Sequence, residues 1–209
     1  MQSMLISRYS INRLIDSRNC YELIQRGFVI PSRNNSSRIT SESNNINHEH
    51  IRTVGQIVSG DKVGMIISPK IGLHENVVAL DYDSEYANLI VNHNLSYETV
   101  SLSEGRIITV QSNNKEKKGL LPTIVERFLR RRVYFKRLLK ELPKDSIEYV
   151  WCEQRVNSLK NILVCLYGST GSIWNRYGNV LAFEEINRLS RDVLIKTKDI
   201  VQRLGYGLV

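Results

Sequence analysis

The run Asn76-Val77-Val78-Ala79-Leu80-Asp81-Tyr82-Asp83-Ser84-Glu85-Tyr86-Ala87-Asn88-Leu89-Ile90 constrains the fold more than any other stretch of this chain. Val77 to Leu80 form a short unbroken apolar run, which reads as a buried strand, and the run ends on a carboxylate. Tyr86 to Val91 then reads as a helix that stops near Asn92-His93-Asn94. Many α/β proteins end a buried strand on Asp in this way. The turn fixes Asp81, a metal-binding group, beside Ser84 and the aromatic wall of Tyr86. Asp83 is a second carboxylate two residues on, facing either water or the same ion.

The rest of the chain divides by composition. Ile11, Leu14, Ile15, Tyr21, Leu23 and Ile24 recur at three- and four-residue spacing and predict a helix or helix pair ending near Gly27, with an extended exit over Phe28-Val29-Ile30-Pro31. Residues 32–50 are rich in Ser, Asn, Arg and His and predict a polar loop. Its His48-Glu49-His50 reads as a solvated pair of histidines, since no cysteine is near to complete a zinc site. Gln56-Ile57-Val58 and Val63-Gly64-Met65-Ile66-Ile67 predict β segments, and so do Arg106 to Val110. Residues 112–119 read as a charged loop.

Three long helical patterns follow. The first opens at Pro122 and stops at Pro143, with Ile124, Val125, Phe128, Leu129, Phe135, Leu138 and Leu139 on its apolar face. The second runs from Ser146 to Leu166 and is broken at Gly168. The third runs from about Leu181 to Leu204 on Ile186, Leu189, Val193, Leu194, Ile200 and Val201. Gly205-Tyr206-Gly207-Leu208-Val209 reads as the opening of another strand.

Charge bears on partners. Lys and Arg number 29 against 21 Asp and Glu, a formal net charge of +8, and much of the excess falls between Lys115 and Lys140. A polyanionic partner is one reading and a basic solvated helix the other. Hydrophobic residues make up 42% of the chain, which supplies a real core and excludes a disordered protein. Cys20, Cys152 and Cys165 are too scattered for a disulfide framework or a Cys-x-x-Cys zinc site. No apolar stretch reaches the roughly 18 residues of a membrane-spanning helix. The expectation is a cytoplasmic chain that does not enter a membrane.

Arg132 and Lys136 lie four residues apart on the first long helix and share a face, as do Arg127 and Arg131. Two cations stacked one turn apart suit adjacent phosphates, Arg as a fork and Lys as a point charge. A plain basic solvent face is the alternative. On the second helix Lys160, Val164 and Tyr167 project to one side.

In order and spacing these features resemble the family B DNA polymerases. Asp81-Tyr82-Asp83-Ser84-Glu85-Tyr86-Ala87 is similar to that family's first palm motif, an Asp followed by two residues and then Ser, Leu, Tyr, Pro and Ser. Leu121-Pro122 with Arg132 and Lys136 resembles its first fingers helix. Lys160 through Tyr167-Gly168 resembles its second fingers motif, Lys-x3-Asn-Ser-x-Tyr-Gly, and Arg26-Gly27-Phe28-Val29-Ile30-Pro31 resembles the segment before the first palm motif in archaeal-type members. Glu85 stands where the family has Leu, Ala87 where it has Pro, Val164 where it has Asn and Cys165 where it has Ser.

The resemblance implies an α+β fold: a partial polymerase palm, with a short antiparallel sheet and packed helices, plus a two-helix fingers hairpin. It implies an N-terminal helical segment and polar loop over 1–54, the first part of the palm over 55–120, fingers helices over 121–170, and a palm helix with the start of a strand over 171–209. It implies template-directed transfer of a nucleotide from a deoxynucleoside triphosphate to a primer 3′-hydroxyl, with primer-template DNA as partner. Asp81 and the Tyr82 carbonyl would ligate Mg²⁺ in a two-metal site. Tyr82, Ser84, Glu85, Tyr86, Arg132, Lys136, Lys160, Val164 and Tyr167 would surround the nucleotide, with Tyr86 as the gate against a ribose 2′-hydroxyl and Lys160 as proton donor to pyrophosphate. Tyr167 and Gly168 would flank the nascent base pair. The family's second catalytic turn, Asp-Thr-Asp, is not among these residues, so the expectation is a fragment acting with a second polypeptide that carries it, in an archaeal or other prokaryotic cell. A degenerate polymerase-like module that binds DNA or scaffolds without catalysis is the alternative, and a generic basic nucleic-acid-binding domain the third reading.

Overall fold

The computed structural model describes residues 10–31, 65–103, 106–109, 118–172 and 175–209. Among them are five helices and one two-stranded antiparallel sheet. The helices are α1 (Ile11–Gln25), α2 (Glu85–Asn92), α3 (Leu120–Glu141), α4 (Ile147–Thr170) and α5 (Val180–Arg203). The strands are β1 (Val100–Ser103) and β2 (Arg106–Thr109), paired with Val100 opposite Thr109 and Ser103 opposite Arg106.

Short α2 is the hub. It packs on α3, α4 and α5. Its apolar residues Ala87, Leu89 and Ile90 are buried, and Ile90 meets Leu95, Leu120, Ile124, Leu166 and Ile186 in one core. Long α3 and α4 lie against each other as a hairpin, and α1 covers both through Ile15 and Leu23. The buried Glu22 of α1 accepts from Arg127 of α3 at 2.7 Å and pairs with Arg18 and Arg26, so its charge is compensated where it leaves water.

Each helix boundary has a local cause. Gly27 adopts φ +71°, and the amides of Gly27 and Phe28 bond back to the carbonyls of Ile24 and Leu23. That pattern closes α1 and needs a residue without a Cβ penalty at the left-handed position. Leu142 is extended before Pro143, which ends α3. Ser146 caps α4 by accepting from the Tyr149 amide at 3.1 Å. Asn179 caps α5 twice, accepting from the amides of Leu181 at 2.9 Å and Ala182 at 3.2 Å.

The start of α3 is capped from a distance. Gly119 has no side chain to cap with, so the turn after α2 supplies the acceptors: Asn94 for the Gly119 amide at 2.8 Å, Glu98 for Leu120, and Ser96 for Leu121 at 3.1 Å. A Cβ on Gly119 would lie 2.8 Å from the Ser96 Cβ. The close approach that makes the cap therefore requires glycine.

The structure corrects several expectations. Val77 to Leu80 is not a strand: Val78 is 81% exposed and Leu80 73% exposed, and β1 and β2 form the only sheet among the described residues. Among the described residues no strand lies alongside it, so its amides have no ladder to join there. Met65 to Ile67 is likewise irregular, while 56–58 and 63–64 lie outside the described residues. Residues 206–209 follow α5 without forming a strand. β1 is a strand that the sequence reading did not anticipate. Helix α4 does not break at Gly168 but runs to Thr170, because Leu166, Tyr167 and Thr170 are buried and hold its last turn. A helical glycine costs about 1 kcal/mol, less than those contacts return. The polar loop 32–50 with its histidines, and residues 112–117, lie outside the described residues.

Candidate functional site

Asp83 lies at the junction of α2 and α3. Ser84, the residue before α2, takes a left-handed backbone with φ 58°, which turns the chain sharply and presents Asp83 to α3. The Asn88 side chain holds the turn by donating to the Asp83 carbonyl at 3.0 Å. Across the gap Arg132 Nη1 donates to Asp83 Oδ1 at 2.9 Å, and Lys136 Nζ reaches both carboxylate oxygens at 2.9 Å. Arg132 also donates to the Ser84 hydroxyl. The sequence spacing of the two cations is therefore realised as one cationic focus. Hydrogen bonds from Lys136 and then Arg132, opposed by partial desolvation, hold the Asp83 carboxyl down at about 2.

Arg132 and Asp83 differ in how firmly they are held. Arg132 is 8% exposed, whereas the Asp83 side chain lies mostly in water. The Arg132 Nε is buried and bonds to nothing among the described residues.

Beside this focus is an aromatic stack. Tyr86 of α2 lies flat on Tyr167 of α4, ring centres 4.2 Å apart and planes within 9°. Tyr167 in turn stacks on Phe183 of α5 at 5.1 Å, and its hydroxyl donates to Asn187 Oδ1 at 2.5 Å. Tyr167 is thus a buried support, with half-buried Tyr86 as the outer ring. The other predicted residues of α4 face out: Lys160, Val164 and Gly168 recur every four residues on its exposed side.

Glu85 points elsewhere. Its carboxylate accepts from Ser190 of α5 at 2.7 Å, which joins α2 to α5. The Tyr82 hydroxyl bonds Thr197 on the same helix. Of the second pair of cations on α3, Arg127 is spent on Glu22. The α2–α5 contacts and the Tyr86–Tyr167–Phe183 stack were not foreseen. The Tyr86–Tyr167, Glu85–Ser190 and Tyr82–Thr197 contacts join residues about 80 to 115 positions apart, which spacing along one helix cannot report.

Asp81 is exposed at the end of the extended segment. Among the described residues no group of three or more His, Cys, Asp or Glu side chains comes together as a metal site. Magnesium prefers about six oxygens and commonly keeps waters while taking phosphate oxygens from a substrate. Asp81 and the Tyr82 carbonyl are donors of the right kind for such an ion. Asp83 is engaged by Arg132 and Lys136 instead.

The sequence and the fold of this chain are similar to those of known proteins. The model of DNA polymerase family B matches residues 14–207, nearly the whole chain, and the chain belongs to that family. DNA polymerase 2 of Saccharolobus solfataricus is 30% identical over 161 residues, covering 77% of this chain and 24% of that protein. A DNA polymerase of Pyrococcus glycovorans is 28% identical over 152 residues, covering 70% of this chain and 20% of the other. The DNA polymerase alpha catalytic subunit of Xenopus laevis is 24% identical over 155 residues, covering 70% of this chain and 11% of that protein. In fold, the family B DNA polymerase of Pyrobaculum calidifontis matches 94% of this chain with a TM-score of 0.64 at 21% identity, over 24% of its own length. The chain spans a quarter or less of each of these proteins. No described helix is long and apolar enough to cross a membrane.

Proposed function

We propose that this chain is the palm-and-fingers portion of a template-directed DNA polymerase, binding a deoxynucleoside triphosphate and primer-template DNA for transfer of the nucleotide to a primer 3′-hydroxyl. In this reading α3 and α4 are the fingers, and α2, α5 and the β1–β2 sheet belong to the palm. The observation that carries it is the focusing of Arg132 and Lys136, one helical turn apart, on a single anionic group. Two converging cations, Arg as a fork and Lys as a point charge, suit the adjacent phosphates of a triphosphate.

Arg132 and Lys136 would bind the phosphates, with Lys160 on the exposed face of α4 completing the cradle and donating a proton to the departing pyrophosphate. Ser84 lies within reach of the same phosphates through its bond to Arg132. Tyr86, held flat by Tyr167, would close the floor under the sugar and collide with a 2′-hydroxyl. Tyr167 would act through Tyr86, while Val164 and Gly168 line the approach of the base pair along α4. Glu85 would take part indirectly, by anchoring α2 to α5 through Ser190.

Asp81 and the Tyr82 carbonyl would hold Mg²⁺, whose chemistry is to activate the primer hydroxyl and neutralise developing phosphate charge. Two-metal transfer takes a second carboxylate facing the first. We assign it to a segment or second polypeptide outside these 209 residues.

The test is nucleotide binding measured by calorimetry on the purified chain with primer-template DNA and Mg²⁺. Arg132→Ala and Lys160→Ala are expected to weaken deoxynucleotide binding at least tenfold, and Tyr86→Ala to admit ribonucleotides. Binding that is indifferent to all three substitutions would overturn the reading. The occupation of both cations by Asp83 favours the second reading, a polymerase-like module that binds DNA without catalysis. Template-dependent incorporation, abolished by Asp81→Ala, would exclude that alternative.

A further inference from the structure

We propose that Asp83 is an internal counter-ion, seated on Arg132 and Lys136 in the position of a nucleotide's phosphates, and that an incoming triphosphate displaces it. The inference rests on the proposed nucleotide site and adds to it the residue that sets what may enter.

The first argument is which partner can move. Arg132 is buried, and leaving a buried guanidinium without an anion is strongly unfavourable, so it requires one at all times. Asp83 has the opposite character. Its side chain is 60% exposed, so on leaving the pair its carboxylate is taken up by water with little desolvation change. Arg132 is therefore the fixed part of the contact and the carboxylate the exchangeable part.

The second argument is hydrogen-bond capacity. Asp83 gives one oxygen to Arg132 and both to Lys136, and the Arg132 Nε still has no acceptor among the described residues. A guanidinium presents five donors in a planar fork. A phosphate, with three terminal oxygens, fills more of that fork than a carboxylate whose two oxygens are shared with a lysine. Exchange of one anion for another leaves the buried Arg132 with an anionic partner throughout, and the better-matched anion wins.

The third argument is selectivity. A monoanion such as chloride or acetate offers no more than Asp83, which is tethered and therefore always present at high local concentration. Only a ligand with several adjacent negative charges out-competes it. The chemistry selected is a polyphosphate, and the resident carboxylate tunes the affinity downward without touching the base or sugar.

The experiment measures the dissociation constants of inorganic tripolyphosphate and of dTTP for the full 209-residue chain, for Asp83→Asn, and for Arg132→Ala. Removing the competitor is expected to tighten both ligands by about three- to tenfold, the effect of losing one or two partly exposed ion pairs, while Arg132→Ala weakens both. Asp83→Ser, which also removes the charge and keeps a short polar side chain, is read in the same way, with far-ultraviolet circular dichroism as the check on folding. If Asp83→Asn leaves binding unchanged or weakens it while Arg132→Ala still weakens it, the counter-ion is refuted and the nucleotide site stands. If Arg132→Ala has no effect, the nucleotide site itself fails. Should both Asp83 variants unfold while Arg132→Ala folds, the pair is structural and the exchange is refuted.

Discussion

At the scale of single residues, an ionic contact here has value according to which partner is buried. Glu22 is enclosed and meets three arginines, while Asp83 is mostly in water and meets two cations, one of them buried. Glu126 is a third case. It accepts from Lys118 at 2.6 Å and from Arg130 at 2.8 Å, and the Lys118 hydrogen bond above all holds its carboxyl below the usual range. A carboxylate with a depressed folded-state pKa adds stability that is fully present above its unfolded value, about 4.5, and is lost as pH falls through the folded value. Glu126→Gln is therefore expected to lower stability near neutrality slightly and to flatten its fall below about pH 4.5, checked by urea unfolding between pH 3 and 7. An unchanged acid limb would refute the assignment. The pairing of Arg132 with Lys136 was legible from spacing, because helical geometry alone puts i and i+4 on one face. That the two converge on Asp83 was not, since a carboxylate 49 residues away enters only through the packing of α2 on α3.

At the scale of elements, the positions of the helices followed from periodicity, although α4 runs past Gly168 and buries Tyr167 away from Lys160 and Val164, and the ends followed only where the cap is local. Gly27, Pro143, Ser146 and Asn179 act within a turn of their helix, and the boundaries near them were readable. The α3 start is held by Asn94, Ser96 and Glu98, more than twenty residues away, and no pattern in 118–122 announces them. Asn179 does double duty, since its amide group also donates to the carbonyls of Tyr97 and Val100 and so ties α5 to β1. Asn179→Ala is expected to cost about 1–2 kcal/mol, at the upper end for loss of a cap, measured by chemical denaturation. Asn179→Asp should recover most of the capping part and none of the carbonyl contacts, so a full recovery would show that only the cap matters. The failed strand at Val77 to Leu80 belongs to the same scale. An apolar run states that a segment prefers to leave water, and a strand exists only once another backbone lies alongside.

For the whole molecule, α2 has an influence out of proportion to its length. Eight residues carry Tyr86 into the aromatic stack, Glu85 to α5 and Ile90 into the centre of the core, and the turn before them carries Asp83 to α3. Ile90 is fully buried among residues from α3, α4 and α5, so Ile90→Ala should destabilise the chain by about 2–5 kcal/mol in denaturant unfolding. Because the same helix positions the candidate site, that variant should also lose nucleotide affinity at concentrations of denaturant where the parent still binds. A stable Ile90→Ala protein would mean that α2 is not the hub. The sequence by itself determined the helices, the order of its motifs and the resemblance to family B DNA polymerases, because period, caps and spacing act between near neighbours. The tertiary structure alone decided that Tyr167 lies behind Tyr86, that Glu85 turns to Ser190, and that Asp83 rests on Arg132 and Lys136. Those are choices among partners far apart in the chain, made by which buried charges and rings must be satisfied once the helices pack.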